Sequence, residues 1–358
     1  MTVAAETVRR QITALLAAWG VPDDLAATTA EAMLYADLAG VDTHGIALMT
    51  LYADVHRAGR MTPAARPQVV RESPVTALVD AGAGFGHPAA AMAMTLALDK
   101  ASQAGLGAVA VVNSHHFGAA GYYAALAPER GMVGLVTTTS RGVQVLPARG
   151  AEPVLGTNPL AFAAPARRNR PFLLDMSTST VAANKVKAYD FRGKALPEGW
   201  VLDAAGRPVT DPARAVEVVF GGAGGGLTAL GATAEGGNHK GYGLGAVVQI
   251  LSAALSGGVF PALGHPRPGS GENIGHFFLA IDPGAFRSRD AFMEDVDALI
   301  DHLRSTAPTD PDEPVLVPGD PEAATRERRA REGIPLPEAL RDRLRAVCER
   351  SGVPFLLG

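Results

Sequence analysis

The segment GAVAVVNSHHFG, residues 107–118, decides how the middle of this chain folds. It contains an apolar run at 109–112 that predicts a buried strand, followed by His115, His116 and a small-residue turn, after which a helix opens near Gly121. α/β proteins commonly place their chemistry at the carboxyl end of a strand, and an imidazole titrates near neutral pH. The segment therefore predicts a central strand that ends in a reactive histidine.

Five further segments combine histidines, hydroxyls, carboxylates and glycines. An isolated histidine pair is as often a packing or capping feature as a reactive one, so these segments decide between the two interpretations. The first, DTHG at 42–45, places an imidazole beside a hydroxyl and a carboxylate at the junction of two helical patterns. The others are GTNP at 156–159, DMSTS at 175–179, residues 193–212 with their PEGW and TDP motifs, and GNHKGYG at 237–243.

In this order and at this spacing, the six segments resemble the malate/L-lactate dehydrogenase family, which is unrelated to the Rossmann-fold lactate dehydrogenases. The family includes ureidoglycolate and sulfolactate dehydrogenases, diketogulonate reductase and piperideine-2-carboxylate reductases. The resemblance runs from about residue 38 to residue 320. It implies hydride transfer between NAD or NADP, a choice that stays open, and a 2-oxo acid, a 2-hydroxy acid or a cyclic ketimine acid. It also implies a homodimer.

Hydrophobic periodicity predicts helices at both ends of the chain and a sheet between them. With the family's architecture, this gives an α/β (α+β) fold that is not a Rossmann fold. A helical domain would comprise residues 1–72 and 286–358, and a mixed-sheet NAD(P)-binding domain residues 73–285. Helices are predicted at 7–19, 23–38, 44–57, 88–103, 119–128, 180–191, 242–255, 289–303, 323–331 and 337–350, and strands at 75–80, 107–112, 132–138, 160–164, 171–174, 276–281 and 315–317.

Composition excludes several classes of protein. With 358 residues, 47% hydrophobic and 19% charged, the chain can bury a large core. A net charge of −4 offers no basic surface, so neither nucleic acid nor an anionic membrane is an expected partner. A small molecule is the expected partner.

The sequence favours a cytoplasmic protein. Residues 1–20 interleave apolar and charged residues, unlike a signal peptide, and no apolar run approaches the about 18 residues of a membrane span. The single cysteine, Cys348, cannot form an internal disulfide and is expected in the core of the last helix.

Two glycine-rich segments need separate interpretation. GAGFG at 82–86 follows a strand, but His87 stands where a dinucleotide-binding fingerprint needs its third glycine. It predicts a tight strand-to-helix turn near the site instead. Residues 221–226 lack the Lys-Ser/Thr pair of a phosphate loop and predict a flexible connection.

Three segments are candidates for cofactor contact. Hydroxyls and backbone N–H groups at a strand-to-helix junction can bind an anion, and a lysine between glycines adds a cation beside closely approachable backbone. The resemblance adds a third loop before the last helices. The candidates are Asp175, Met176, Ser177, Thr178 and Ser179; Lys240 and Gly241; and Pro318, Gly319 and Asp320.

Reduction of a C=O or C=N carbon by hydride needs an acid to protonate the product and a group that fixes the substrate carboxylate. Histidine supplies such an acid. The resemblance gives this role to His116 or His44, and we expect both in the site, with His116 as first choice and Thr43 supporting His44. No metal site is expected.

Two departures from the family pattern bear on the substrate. Leu48 stands where an arginine is common, which removes a bidentate partner for a carboxylate. Either another cation replaces it, with Arg141 as the candidate, or the substrate is not a simple 2-oxo acid. His115, at a position where asparagine is usual, offers a second donor. These changes favour a cyclic ketimine acid or a larger keto acid over malate or lactate.

Two alternatives remain open at this point. Leu48 is compatible with a relative that binds a nucleotide or metabolite without turnover. A metal hydrolase is disfavoured, because the nine histidines include no HExxH or comparable spacing.

Overall fold

The computed structural model describes residues 1–263 and 272–358. Its helices in chain order are α1 (Ala5–Ala18), α2 (Asp23–Ala39), α3 (Met49–Arg57), α4 (Gly86–Ala104), α5 (Ala120–Ala124), α6 (Ala183–Phe191), α7 (Pro212–Phe220), α8 (Asn238–Gln249), α9 (Arg289–Ser305), α10 (Asp320–Glu332) and α11 (Glu338–Ser351). Its strands are β1 (Thr2–Val3), β2 (Gln68–Glu72), β3 (Thr76–Asp80), β4 (Leu106–Ser114), β5 (Val133–Thr138), β6 (Leu160–Ala164), β7 (Phe172–Met176), β8 (Val201–Leu202), β9 (Gly226–Leu227), β10 (Ile274–Ile281) and β11 (Ile334–Pro335).

A mixed sheet of seven strands, in the order β2-β3-β4-β10-β5-β6-β7, forms the centre of the molecule. Only β3 and β4 are parallel, and the other neighbours are antiparallel. A Rossmann fold has a mostly parallel sheet. The predicted mixed α/β class, distinct from a Rossmann fold, is thus confirmed.

The middle of the sheet is nearly continuous apolar sequence. β10 pairs with β4 along one edge and with β5 along the other, and its side chains are mostly buried on both faces. Strands covered on both faces read as unbroken hydrophobic runs. The run at 109–112 is such a strand, and β4 continues past it to Ser114.

Helix α4 lies close against β4 because small residues line the contact. A Cβ at Gly107 would overlap the carbonyl oxygen of Ala97. Alanines also fill the buried face of α4, and their small side chains let the helix approach the strand closely. Their burial costs no side-chain rotamer entropy. The buried alanines of α4 are Ala89, Ala90, Ala93, Ala97 and Ala101.

A second core joins the two ends of the chain. Side chains of α1, α2 and α3 pack with Leu344, Val347 and Cys348 of α11, so Cys348 is a free core thiol as expected. β1 pairs with β11. β2 belongs to the central sheet, and the boundaries of the two domains stay a prediction.

None of the helices within the described ranges has the length and apolar character to cross a membrane.

A third core forms between α6, α7, β8 and β9, where Val186, Val218 and Leu227 are buried together. The glycine-rich segment 221–226 lies here. Gly226 is paired in β9, and at Gly225, which has φ +88°, a Cβ would overlap the Leu202 carbonyl oxygen. The segment therefore leads directly into a strand, and its flexibility stays a prediction.

Several local predictions are also corrected. The helix expected from His44 begins only at Met49, because two 3₁₀ turns, Asp42–His44 and Ile46–Leu48, precede it. The helix expected at 119–128 is the short α5 followed by a separate 3₁₀ turn. Residues 315–317 form no strand. β2 and α7 lie where the sequence predicts no element.

Candidate active site

The carboxyl end of β4 carries His115 and His116 into a loop that packs on the start of α4. Asn113 has φ +54°, which makes β4 irregular one residue before its end at Ser114. Gly86 lies against the backbone of both histidines, and a Cβ there would overlap the His115 carbonyl oxygen. The turn at 82–86 therefore borders the histidines, as the sequence predicts.

His116 is fixed through one ring nitrogen. Its Nδ1 lies 3.0 Å from the Tyr52 hydroxyl and accepts a hydrogen bond from the Gly118 N–H at 3.2 Å. A backbone N–H can only donate, so this contact favours a neutral ring with its proton on Nε2. Desolvation lowers the pKa of His116 well below its usual range, and the neighbouring His44 lowers it further. At pH 7 the ring is neutral and presents an N–H donor.

His44 lies beside His116 in a stacked arrangement, with ring centroids 5.4 Å apart and planes inclined by 29°. Thr43 Oγ1 lies 2.8 Å from His44 Nδ1. Desolvation lowers the pKa of His44 to about 4, so two uncharged imidazoles adjoin. The structure thus brings together the three residues that we assign to catalysis, whose roles stay a prediction.

Asp37 of α2 packs against the turn that carries His44 and forms a hydrogen bond with it. The Asp37 carboxylate is 2% exposed and accepts a hydrogen bond from the Ile46 N–H at 2.8 Å. A Cβ at Gly45 would overlap this carboxylate, which requires glycine there. Burial raises the pKa of Asp37 to about 7, although the Ile46 hydrogen bond opposes the shift. Arg329 donates to the Asp37 carbonyl oxygen and pairs with Asp42.

Two further histidines, His276 and His87, are buried near the pair. His276 Nδ1 lies 2.6 Å from Thr138 Oγ1 and its Nε2 lies 2.9 Å from Ser114 Oγ, so both nitrogens are occupied. Burial lowers the pKa values of His276 and His87 to about 3. Within residues 1–263 and 272–358, no group of three or more His, Cys, Asp or Glu side chains is arranged to hold a metal ion.

The three residues expected to bind substrate separate into two places. Arg141 Nε lies 2.8 Å from Glu272 Oε1, and His115 Nδ1 lies 3.5 Å from Glu272 Oε2. Leu48 instead is 9% exposed in the core of the terminal helices and borders another cavity of about 690 Å³. The structure therefore groups Arg141 and His115 around one carboxylate without Leu48.

A cavity of about 210 Å³ extends from His44 along the end of β7. Asp175 is exposed to this cavity and accepts a hydrogen bond from the Gly121 N–H at 2.7 Å. Desolvation by the surrounding protein raises the pKa of Asp175 to about 6. A second cavity of about 420 Å³ shares Tyr35, Leu173 and Glu322 with the first. The two together form one long groove that starts at a histidine.

Part of the predicted cofactor set lines this groove. Asp175, Met176 and Ser177 border the first cavity, and Gly319 borders the second. Thr178 and Ser179 are buried, with their hydroxyls donating to backbone carbonyls. The remaining candidates make other contacts. The Pro318 carbonyl oxygen accepts a hydrogen bond from the Leu173 N–H, and Asp320 pairs with Arg304. On α8, Lys240 is exposed and Gly241 packs on Leu230.

Sequence reasoning missed Tyr52, Asp37, Glu272 and Tyr35. The spacing of positions 44, 48 and 52 was a signal for Tyr52, since residues four apart share a helix face. The other three residues had no such signal. Glu272 and Tyr35 meet the site only through contacts that are distant in sequence.

The groove begins at His44, which stacks on His116, and passes a strand-end carboxylate, a hydroxyl and a glycine. A groove with apolar walls and a polar strand end has room for an extended ligand. The comparisons with known proteins give the class of the protein.

The chain belongs to the malate/L-lactate dehydrogenase family, whose model matches residues 3–345. It is 38% identical over 346 residues to the malate dehydrogenase of Pyrococcus horikoshii, covering 96% of this chain and 94% of the relative. It is 35% identical to the (2R)-3-sulfolactate dehydrogenase (NADP(+)) of Chromohalobacter salexigens, covering 93% and 94%.

Solved structures give the same result. The malate dehydrogenase of Entamoeba histolytica superposes with a TM-score of 0.93 at 32% identity, covering 99% of both chains. The delta1-piperideine-2-carboxylate reductase of Pseudomonas syringae superposes with a TM-score of 0.82 at 28% identity, covering 97% of this chain and 99% of that one. The chain is therefore an oxidoreductase of a dehydrogenase family that acts on hydroxy and oxo acids with NAD or NADP.

Proposed function

We propose that this protein transfers hydride between a nicotinamide cofactor and the second carbon of a 2-oxo acid or its 2-hydroxy product, or of a cyclic ketimine acid. The observation that carries the proposal is that His44 lines the start of the groove and stacks on His116. Proton transfer needs a titratable group beside the reacting atom, and hydride transfer needs a long site for the dinucleotide.

His116 is the residue we assign to the proton. The Gly118 N–H at Nδ1 favours the neutral tautomer with its proton on Nε2, and the charged ring, which carries a second proton, is the form that donates during reduction and returns to this neutral tautomer. Tyr52 can donate to the unprotonated Nδ1 or accept from a protonated one, so it can stabilise the ring in both charge states. His44, with Thr43 at its Nδ1, stacks beside the ring and adds a second neutral imidazole.

Arg141 is the residue we assign to the carboxylate next to the reacting carbon. Its side chain is 32% exposed and its charge is near enough to act on the pKa of His116. A guanidinium binds two carboxylate oxygens at once, which would orient the carbonyl toward His116. His115, 1% exposed, supplies a further polar group behind this contact.

The groove is where we place the cofactor. Asp175, Met176 and Ser177 would contact its nicotinamide half, and Gly319 would face its more distant half. When bound, the reduced cofactor supplies the hydride. The protein's part is to hold the ring against the histidines and to exclude water from them.

The test is an assay of purified protein with pyruvate, oxaloacetate, 2-oxobutyrate and a cyclic ketimine acid, each with NADH and with NADPH. We expect consumption of at least one reduced cofactor, read by its absorbance. If calorimetry detects binding of NADH or NADPH while no acid is reduced, the protein is a non-catalytic relative, the function that Leu48 would favour.

We also propose that two copies of the chain associate. The exposed face of α8 and the π-helical turn after it carries Leu244, Val247, Ile250 and Leu255, each at least 36% exposed. A continuous apolar row of this kind commonly marks an interface. Val247→Glu should shift the species seen by light scattering from dimer to monomer.

The free, buried Cys348 is compatible with a reducing compartment, which we take to be the cytoplasm.

A further inference from the structure

The cavity of about 690 Å³ that Leu48 borders lies between α3, α6 and α11. Cavities that hold small ligands commonly measure about 300–1,000 Å³, so this one has room for a carbon chain. We name it the three-helix cavity. Its apolar lining includes Leu48, Leu51, Phe191, Leu336 and Leu340.

Helix α6 turns one side toward this cavity. Asn184, Ala188 and Phe191 border it and are four and three residues apart, a spacing that places side chains on one side of a helix. Val186, on the other side of α6, is fully buried in the third core. The side that faces the cavity ends at Phe191, which is 76% exposed.

The charged groups at this cavity are engaged elsewhere or lie at its rim. The charged lining residues are Asp37, Asp42, Lys187 and Arg343. Asp37 binds the Ile46 N–H and Asp42 pairs with Arg329, as described above. Lys187 Nζ lies 3.8 Å from the centroid of the Phe220 ring, and Arg343 is exposed on α11. Since burial of a further charge would be costly, the cavity suits an uncharged group.

The wall opposite α6 is preformed. Leu48 and Leu336 belong to the core that joins the chain's ends, and Leu51 and Leu340 pack against it. The Leu336 N–H donates to the Met1 carbonyl oxygen at 3.0 Å, beside the β1–β11 pair. Because these contacts exist without a ligand, binding does not have to order this wall, and apolar contact with it contributes to affinity.

The three-helix cavity adjoins the groove at Thr43. Thr43 borders both, and its Oγ1 lies 2.8 Å from His44 Nδ1. The start of α6 also borders both, with its N-cap Ala182 on the groove and Asn184 on the three-helix cavity. A carbon chain attached to a reacting atom beside His44 therefore has this cavity next to it, past Thr43.

We propose that the three-helix cavity binds the carbon chain of the substrate, and that the substrate class is a 2-oxo acid, or its 2-hydroxy product, with an extended uncharged chain. The inference rests on the proposed function for the placement of the reacting carbon at His44 and His116. Leu48, Leu51 and Leu340 are specificity residues that contact the chain and take no part in proton or hydride transfer.

The test measures how binding depends on chain length. Butyrate, hexanoate and octanoate each carry one carboxylate, and none is a 2-oxo acid. Their affinities for the full chain are compared by calorimetry with NADH or NADPH present. A buried methylene is worth about 0.8 kcal/mol, or about fourfold in affinity, so octanoate should bind at least about tenfold more tightly than butyrate. Equal affinities for the three acids would overturn the inference.

Two variants locate the chain. Ala188→Phe places a ring in the cavity from the half-buried Ala188, and should weaken octanoate about tenfold while leaving butyrate within about twofold. Leu340→Asn makes the opposite wall polar and should weaken octanoate severalfold. Ala17→Phe is the matched control, because Ala17 is an exposed alanine of α1 that does not border the cavity. An octanoate affinity that neither cavity variant changes would contradict the proposal.

A second copy of the chain is the other occupant that the exposed Phe191 would suit. Light scattering on Ala188→Phe and Ala17→Phe distinguishes it from a substrate chain. If only Ala188→Phe dissociates a dimer, and octanoate binds that variant as it binds wild type, the cavity is an interface between copies and the inference is wrong.

The two proposals fail in different ways. If wild type binds octanoate through this cavity but reduces no oxo acid, the binding inference stands and the proposed function is wrong. If wild type reduces pyruvate and 2-oxooctanoate with equal kcat/KM and binds octanoate no more tightly than butyrate, the function stands and the role of the cavity is wrong.

Discussion

Two neighbouring regions around His116 use opposite electrostatics. In the first, Tyr52, His44 and His116 are desolvated, and the histidine pKa values are held below their usual range. In the second, a cavity at the ends of β5 and β10 is lined by Arg60, Arg141 and Glu272, and the Arg60 side chain is 48% exposed. A proton donor works best when its charge state is set by the protein, whereas an anion is bound best by permanent charges. With the roles proposed above, this difference would separate proton transfer from substrate recognition.

The largest expected effect is the loss of the proton donor. His116→Ala should lower kcat for reduction by roughly 10²- to 10⁴-fold, the usual contribution of a general acid. Steady-state kinetics with the preferred acid measure it. His302→Ala, which removes an exposed histidine of α9, is the control. Full activity in His116→Ala would contradict the assignment of His116 as the proton donor and favour His44 instead.

The pH dependence of kcat/KM is the next largest effect. Above the lowered pKa of His116 the neutral ring predominates, so reduction, which uses the protonated ring, should slow by about tenfold per pH unit as pH rises. Oxidation of the hydroxy acid uses the neutral ring and should be nearly flat between pH 7 and 8.

Asp175, whose pKa is raised to about 6, is another group whose titration could make the rate of reduction depend on pH. Asp175→Asn separates the two. Should the slope of the reduction profile disappear in that variant, the carboxylate rather than the histidine controls the reaction.

A smaller effect is expected at the hydroxyl that supports His116. Tyr52→Phe removes one neutral hydrogen bond worth about 1 kcal/mol, which corresponds to roughly fivefold in kcat. KM should change less, and the inflection of the pH profile should move. Tyr123→Phe, which loses a buried hydrogen bond to the Phe117 carbonyl, controls for loss of packing and should leave the inflection in place.

The smallest effect concerns stability rather than rate. Burial raises the pKa of Asp37 to about 7, so between pH 4 and 7 the folded state keeps a proton that the unfolded chain has lost. The free energy of unfolding should therefore fall as pH rises across that window, by at most about 1.4 kcal/mol per unit.

Asp37→Asn should flatten that slope in urea titrations at pH 5, 6, 7 and 8, while its amide oxygen can still accept from the Ile46 N–H. An identical slope in wild type and variant would show that Asp37 is ionised throughout. The buried support of His44 would then be charged.

The sequence alone predicts those elements of the molecule whose signals are contiguous or periodic along the chain. The apolar run in β4 and the histidines after it are contiguous, so strand and site follow from one segment. β2, by contrast, is exposed along its whole length and has no alternating pattern to indicate it.

Other features depend on distant partners. The helix predicted from His44 starts late because Asp37 binds the Ile46 N–H and leaves room only for glycine at 45. That contact joins two elements, and no periodicity encodes it. The same holds for Glu272, which meets Arg141 across more than a hundred residues.

The pairing of the chain's two ends also governs how the protein can be made. Gln11 donates to the Pro354 carbonyl and accepts from the Leu356 N–H, and the Trp19 indole binds Ser351. During synthesis the first helices emerge more than three hundred residues before these partners. The apolar faces of these helices therefore stay uncovered until residues 351–356 are made, so the part of the core that is synthesised early is completed late.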